Sequence, residues 1–291
     1  VEVSFTMDSQ GRVVQSSFTP PVPGLQVISH CRNIQDRNAI TLYLDYSVPA
    51  LVLTGETTAK SYRDTYANPT PASMLVDSVE RALLRSKIRY DYDAAALAGA
   101  THPERSLLVL HKSPELTEII TSLLDRSDNM FAHALLRTIG SRDYESKGME
   151  CMSSELDHIG VAAVKRWLEL QGIDTEPLFM RDGSGLARAN KASVGFFGEM
   201  LTMMAHRRFD GVRLCDLMPT ASGRVGATLK NSPLSSRIVL KSGSMRHVQC
   251  CVGYYPADEP RYAFAVLVNN YTCDRSGIKE QIGTFLCNLF Q

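Results

Sequence analysis

RIVLKSGSMRHVQCCVGYYPADEPRYAFAVLVN, residues 237–269, is the stretch whose pattern decides the fold. Three strand-like runs crowd into it, Arg237–Ser242, His247–Tyr255 and Arg261–Asn269. Each is rich in the β-branched and aromatic residues that suit a pleated surface. Pro256-Ala257-Asp258-Glu259-Pro260 breaks the pattern, so the last two runs are expected to pair as an antiparallel hairpin. Ile278, Ile282, Phe285, Leu286 and Leu289 then recur at helical spacing to the end of the chain.

Upstream of the strands the grammar is helical. Thr70-Pro71 opens a helix to about Ile88, with Leu75, Val79, Leu83 and Leu84 as its apolar stripe. A short strand is expected at Ser106–Leu110. Ser113-Pro114 begins a second helix, carrying Leu116, Ile119, Ile120, Leu123 and Leu124, that stops near Asp125-Arg126. A third runs from Met130 to Ile139, with Gly140 as a left-handed cap. Asp157–Leu170 is a fourth, stopped by Gly172, and Ser193 caps a fifth with Phe196, Phe197, Met200, Leu201 and Met204 inward. Helices, then antiparallel strands, then a terminal helix predict an α+β fold, an antiparallel sheet flanked by helices.

The first 65 residues differ. Gly11-Arg12, Pro20–Gly24 and Val48-Pro49 punctuate short alternating runs such as Ala39–Leu44, which reads as a β-rich piece too small for a good core of its own. The expected division is residues 1–65 and 66–291.

Composition narrows the function classes. Of 291 residues, 44% are hydrophobic and 21% charged, an ordinary globular profile. Lysine plus arginine is 31 and aspartate plus glutamate is 31, a balance that argues against nucleic acid as the main partner. No apolar run approaches the roughly 18–20 residues needed to cross a bilayer. The opening Val1-Glu2-Val3-Ser4-Phe5 lacks a leader pattern, so the start reads as internal and any secretion signal as absent or removed. Seven cysteines, at 31, 151, 215, 250, 251, 273 and 287, form no C-x-x-C pair, so no metal site or cofactor is expected. Most are expected to be buried small apolar residues, and the adjacent Cys250 and Cys251 should point to opposite faces of their strand.

Ser127-Asp128-Asn129 occupies the one polar break between two apolar helices. Taken alone it reads as caps and turn residues. Lys241-Ser242-Gly243-Ser244, alone, reads as a strand ending in a polar turn. Together, 114 residues apart, they are two of the three motifs of penicillin-recognising serine enzymes. Arg181-Asp182-Gly183-Ser184-Gly185-Leu186-Ala187-Arg188-Ala189-Asn190 resembles the D-G-S-G-L-S-R-x-N sequence of the D-alanyl-D-alanine carboxypeptidase/endopeptidase family, the class C low-molecular-mass penicillin-binding proteins. Leu217-Met218-Pro219-Thr220, ahead of Gly223–Leu229, is similar to the same family, and the motifs keep its order from about residue 70 onward.

The resemblance implies a penicillin-binding/β-lactamase-like transpeptidase fold, periplasmic or cell-envelope placement in a bacterium, and peptidoglycan stem peptides and β-lactams as partners. It implies acyl transfer, in which a serine attacks the D-Ala-D-Ala carbonyl and water resolves the acyl-enzyme. Ser127 would relay a proton to the leaving amine, Asn129 would hold the substrate amide, and Lys241 would keep the site positive. Ser242 and Gly243 would line the substrate, the Ser244 N–H would give half of the oxyanion hole, and Asp182 and Ser184 would form a cleft wall. For Asp182 and Ser184 a tight turn is an equal reading, with Arg188 bracing the loop. Strand alternation puts Ser242, Ser244 and Arg246 on one face and Lys241 on the other, and Gly243 is expected to mark a twist or bulge. His133 and His247 are expected to play no catalytic part.

The family places its nucleophile, Ser-x-x-Lys, before a β-rich insertion whose end residues 1–65 resemble. The nucleophile is therefore expected to be not present in this chain, and the chain alone to be inactive without that N-terminal segment. A non-catalytic wall-peptide-binding or scaffold domain, and an esterase or β-lactamase on the same architecture, are the competing readings.

Overall fold

The computed structural model describes residues 1–33, 39–45, 50–58, 60–66, 68, 70–90, 109–149, 153–221 and 226–290. The chain divides into two compact units, Val1–Leu107 and Leu108–Gln291.

The first unit holds β1 (Glu2–Met7), β2 (Val13–Thr19), β3 (Gln26–Asn33), β4 (Ala39–Asp45), β5 (Ala50–Thr57), β6 (Ser61–Thr65) and α1 (Pro71–Arg85). They build two three-stranded sheets, β2-β1-β6 and β3-β5-β4. The first is antiparallel, whereas β3 runs parallel to β5. Strict alternation in β1 turns Val3, Phe5 and Met7 inward, against Cys31, Leu51 and Leu53 of the second sheet. Phe5 also stacks on Tyr62, with ring centroids 5.0 Å apart. This corrects the expectation that sixty residues of short strands form no good core, because two sheets closing face to face bury what neither buries alone. Helix α1 forms as the Thr-Pro signal predicts, but Leu75 and Leu84 are each 65% exposed and no α1 residue is buried within the described residues. The expected strand at 106–110 falls mostly outside the described residues, and Val109 and Leu110 carry no strand.

The second unit contains α2 (Leu116–Arg126), α3 (Asn129–Glu145), α4 (Leu156–Leu170), α5 (Val194–Ala205), the one-turn helices α6 (Leu214–Leu217) and α7 (Ala227–Lys230), β7 (Val239–Met245), β8 (Val248–Tyr255), β9 (Tyr262–Asn269) and α8 (Arg275–Phe290). The three strands form one antiparallel sheet, ordered β7-β8-β9, so β7 is an edge. Alternation sends Leu240, Cys251 and Phe264 to one face, where Ile278, Ile282 and Leu286 of α8 cover them. Val239 and Tyr254 go to the other face, against Leu201 and Ala205 of α5. A helix on each face of an antiparallel sheet is the α+β arrangement the sequence predicts. Phe285 and Leu289, however, lie half exposed on the outer side of α8.

Two helix boundaries differ from expectation for a physical reason. Helix α2 starts at Leu116 rather than at Ser113-Pro114. Gly140 does not end α3, which continues to Glu145. It faces Gly160 of α4 instead. A methyl on Gly140 would lie 2.4 Å from the Leu156 carbonyl oxygen, and one on Gly160 would lie 2.3 Å from that of Leu136. These glycines let two helix backbones touch, which a periodicity reading cannot tell from a cap.

Among the described cysteines, Cys31, Cys215, Cys251 and Cys287 are buried, Cys250 is half-buried and Cys273 is exposed, all as free thiols. Cys250 and Cys251 do point to opposite faces, and burial beside α8 pushes the Cys251 thiol up to about 12.

Candidate active site

A cleft of about 820 Å³ opens along the edge of β7. Its walls bring together the three motif segments: Ser127, Asp128 and Asn129; Gly183 and Ser184; and Lys241 to Ser244.

The helical wall depends on a tight corner. Ser127 is the C-cap of α2 and adopts φ 56°, ψ 48°, the left-handed conformation that glycine or asparagine usually fills. Holding a serine there costs on the order of 1–2 kcal/mol. Asp128 then caps α3, its carboxylate accepting the Phe131 N–H at 3.0 Å. The corner leaves the Ser127 hydroxyl and the Asn129 side chain, in the first turn of α3, on the cleft.

The strand wall depends on register. Pairing of β7 with β8 is unbroken from Val239↔Tyr254 to Met245↔Val248, so Gly243 marks no bulge. None is needed. Lys241 shares the face of Val239, the side of the helices, and its Nζ donates to Ser127 Oγ at 2.6 Å and to its neighbour's carbonyl, Ser242 O, at 2.7 Å. Ser242 and Ser244 share the opposite face with Leu240, towards α8. An edge strand lets both sets reach one cleft.

The backbone of that edge is also directed. Leu240 N donates outward to Pro219 O at 2.9 Å, and Thr220 bridges Val239. The Leu217–Thr220 motif therefore covers only the start of the β7 edge. By the antiparallel alternation, the N–H groups of Ser242 and Ser244 point away from β8 as that of Leu240 does. The Ser244 N–H is therefore directed outward along the β7 edge, into the cleft that Ser244 lines.

The Asp182 loop forms the third wall, but not through Asp182, which is absent from the cleft lining. Its carboxylate accepts from Gly185 N at 2.8 Å, Ala187 N at 2.9 Å and Asn190 Nδ2 at 2.9 Å. Partial burial raises its pKa, but these hydrogen bonds outweigh that and leave it lowered. Asn190, whose Oδ1 also accepts Arg181 N at 2.7 Å, braces the loop in the place expected for Arg188, which is exposed on the cleft. Gly183 lets the loop lie against α3, since a methyl there would lie 2.5 Å from the Ala132 carbonyl oxygen.

Other expected residues fall elsewhere. Arg246 and His247 form the exposed β7–β8 turn, with His247 Nδ1 2.9 Å from Tyr271 O. His133 Nε2 lies 3.5 Å from Asp157 Oδ1 of α4. Conversely, Arg275, the first residue of α8, lines the cleft and donates to Ser244 Oγ. The sequence signal was a lone arginine opening the helix after the last strand, which is indistinguishable from a solvated charge. The chain does contain one Ser-x-x-Lys spacing, at Ser276-Gly277-Ile278-Lys279. It follows Lys241 instead of preceding Ser127. The Ser276 hydroxyl donates to Asp274 Oδ1 at 2.9 Å, and Ser276 does not line the cleft.

Comparison with known proteins shows the family and the fold. The profile of the D-Ala-D-Ala carboxypeptidase 3 (S13) family matches residues 7–289. The chain belongs to that family. It is 27% identical over 189 residues to the D-alanyl-D-alanine carboxypeptidase DacB of Haemophilus influenzae, covering 62% of this chain and 37% of that protein. It is 25% identical over 210 residues to the D-alanyl-D-alanine carboxypeptidase of Actinomadura sp. strain R39, covering 69% of this chain and 37% of that protein. The chain thus matches little more than a third of the length of these S13 relatives. The crystal structure of penicillin binding protein 4 (dacB) from Haemophilus influenzae superposes with a TM-score of 0.74 at 20% identity, over 100% of this chain and 66% of that one. The penicillin-binding peptidase fold is thereby shown.

Proposed function

We propose that this S13 chain forms the substrate-binding and proton-relay walls of a serine-type D-alanyl-D-alanine carboxypeptidase/endopeptidase. Its substrates are peptidoglycan stem peptides in the bacterial cell envelope, and β-lactams occupy the same cleft. The observation that carries this reading is the 2.6 Å contact of Lys241 Nζ with Ser127 Oγ, which joins two motifs 114 residues apart. A hydroxyl that accepts from an ammonium is short of basicity and ready to pass its proton to a leaving amine. Asn129 orients the substrate amide, and the outward Ser244 N–H stabilises the oxyanion. A β-lactam complex of the Haemophilus influenzae relative supports β-lactam binding here.

The test is to incubate the full-length protein with a penicillin and with a D-Ala-D-Ala peptide. The expected results are a stoichiometric mass adduct and release of D-alanine, and neither appearing on a folded protein would overturn the reading. Residues 1–291 alone are expected to form no adduct. An adduct mapped to any serine here, Ser276 included, would overturn the motif assignment.

A further inference from the structure

Behind the Ser244 N–H stands a buried amide that belongs to none of the motif segments. Gln249 of β8 lies directly across from Ser244 in the β7–β8 register and is 1% exposed. Its Nε2 donates to the Gly243 carbonyl oxygen at 3.3 Å. Its Oε1 is buried as well, and among the described residues it has no hydrogen-bond partner. Gly243 O and Ser244 N are the two ends of one peptide group, and planar trans geometry points them in opposite directions. Whatever holds the carbonyl therefore aims the N–H.

We propose that Gln249 is a positioning residue that holds the Gly243–Ser244 peptide plane, so that the Ser244 N–H stays aimed into the cleft. The proposal rests on the carboxypeptidase reading above, in which that N–H stabilises the oxyanion. Gly243 and Ser244 are exposed on an edge strand, and beyond the chain neighbours nothing lies within 4 Å of where a Gly243 methyl would stand. Packing therefore does not fix this plane, and glycine leaves it freer to turn than another residue would. The Gly243↔Cys250 pairing directs the Gly243 carbonyl to β8, where the ladder takes one lone pair and Gln249 the other. A plane anchored twice cannot tilt without losing a bond. Two donors on the carbonyl also polarise the peptide group and strengthen its N–H as a donor. The fold does not require the second bond, because the ladder already satisfies that carbonyl. Burying the unpaired Oε1 costs stability. A side chain that costs stability while bracing a transition-state donor serves the reaction rather than the core.

The experiment follows acylation of the full-length protein by a chromogenic cephalosporin, separating the acylation rate constant from the dissociation constant of the preceding complex. Gln249→Met keeps the length of the side chain and removes its amide. It should slow acylation by about 10-fold, short of the roughly 10²–10³ for outright loss of an oxyanion donor. The dissociation constant should not change, because the oxyanion forms only on the way to the transition state. The denaturant midpoint should stay level or rise, since the unpaired buried oxygen is gone. Gln249→Leu, of different shape, should slow acylation to the same extent, because the lost donor and not the packing sets the rate. A native rate in both variants, or slowing that tracks a fall in the denaturant midpoint, would overturn the role of Gln249 alone. A native protein that forms no acyl adduct would overturn the carboxypeptidase reading, and this proposal with it.

Discussion

The helical and strand walls of the cleft hold their polar groups by opposite means. Ser127 is presented by a left-handed corner between two helices, an unfavourable backbone state held in place by the caps on either side. Lys241, Ser242 and Ser244 are presented by an unbroken antiparallel register in which no residue has a positive φ. One wall is positioned by local strain and the other by a repeating pattern. Strain concentrates where a hydroxyl must be held against an ammonium, and regular pairing suffices where several donors must be lined up.

The largest expected effect tests the strand wall. Lys241→Ala should slow penicillin acylation of the full-length protein by about 100-fold, comparable with loss of a preorganised charge donor. Time courses with labelled penicillin measure it, and an unchanged rate would remove Lys241 from the mechanism. Next comes the packing beneath the helical wall. Gly183→Ala forces a methyl against the α3 backbone and should lower stability by about 1–3 kcal/mol in denaturant unfolding. The same substitution at Gly185, where nothing lies within 4 Å of a methyl, acts only through its positive φ.

The sharpest contrast is smaller in energy. Ser127→Gly should stabilise the fold by up to about 1 kcal/mol, because glycine relieves the left-handed strain, while activity falls. Ser242→Gly, in regular strand, should destabilise by roughly 0.5–1 kcal/mol. If both glycines destabilise, the two walls are not held differently after all. The smallest effect is a pH dependence. The folded-state pKa of Asp182 is lowered, so its stabilisation is present above the unfolded carboxylate value near ~3.9 and is lost as pH falls through the folded value. The Tm difference between native protein and Asp182→Asn should therefore shrink from pH 7 to pH 3.

How legible these walls were in the sequence follows from how each is built. The strand wall was readable, because alternation is periodic and the faces of Lys241 and Ser242 follow from counting by two. The prediction of a bulge at Gly243 failed for an informative reason: at an edge strand both faces border the same cleft. The helical wall was half readable. A polar break between apolar helices located Ser127–Asn129, but nothing in serine announces a left-handed backbone. Gly140 misled as a cap because close helix contact and helix termination both call for a residue without a side chain. Arg275 was invisible, since its partner Ser244 lies 31 residues away and only the packing of α8 on the sheet joins them. The core of the β-rich unit was missed because it arises between two sheets, one of them containing a parallel pair.

The neighbouring thiols of β8 have a practical consequence. Burial raises both thiols, but Cys251 is sealed beneath α8 whereas one residue earlier Cys250 borders the cleft. The cleft thereby carries a reporter thiol with a sealed twin beside it. Alkylation of Cys250, followed by mass mapping, would register ligand occupancy as protection at a single sulfur, with Cys251 as the internal standard that should remain unmodified until the protein unfolds.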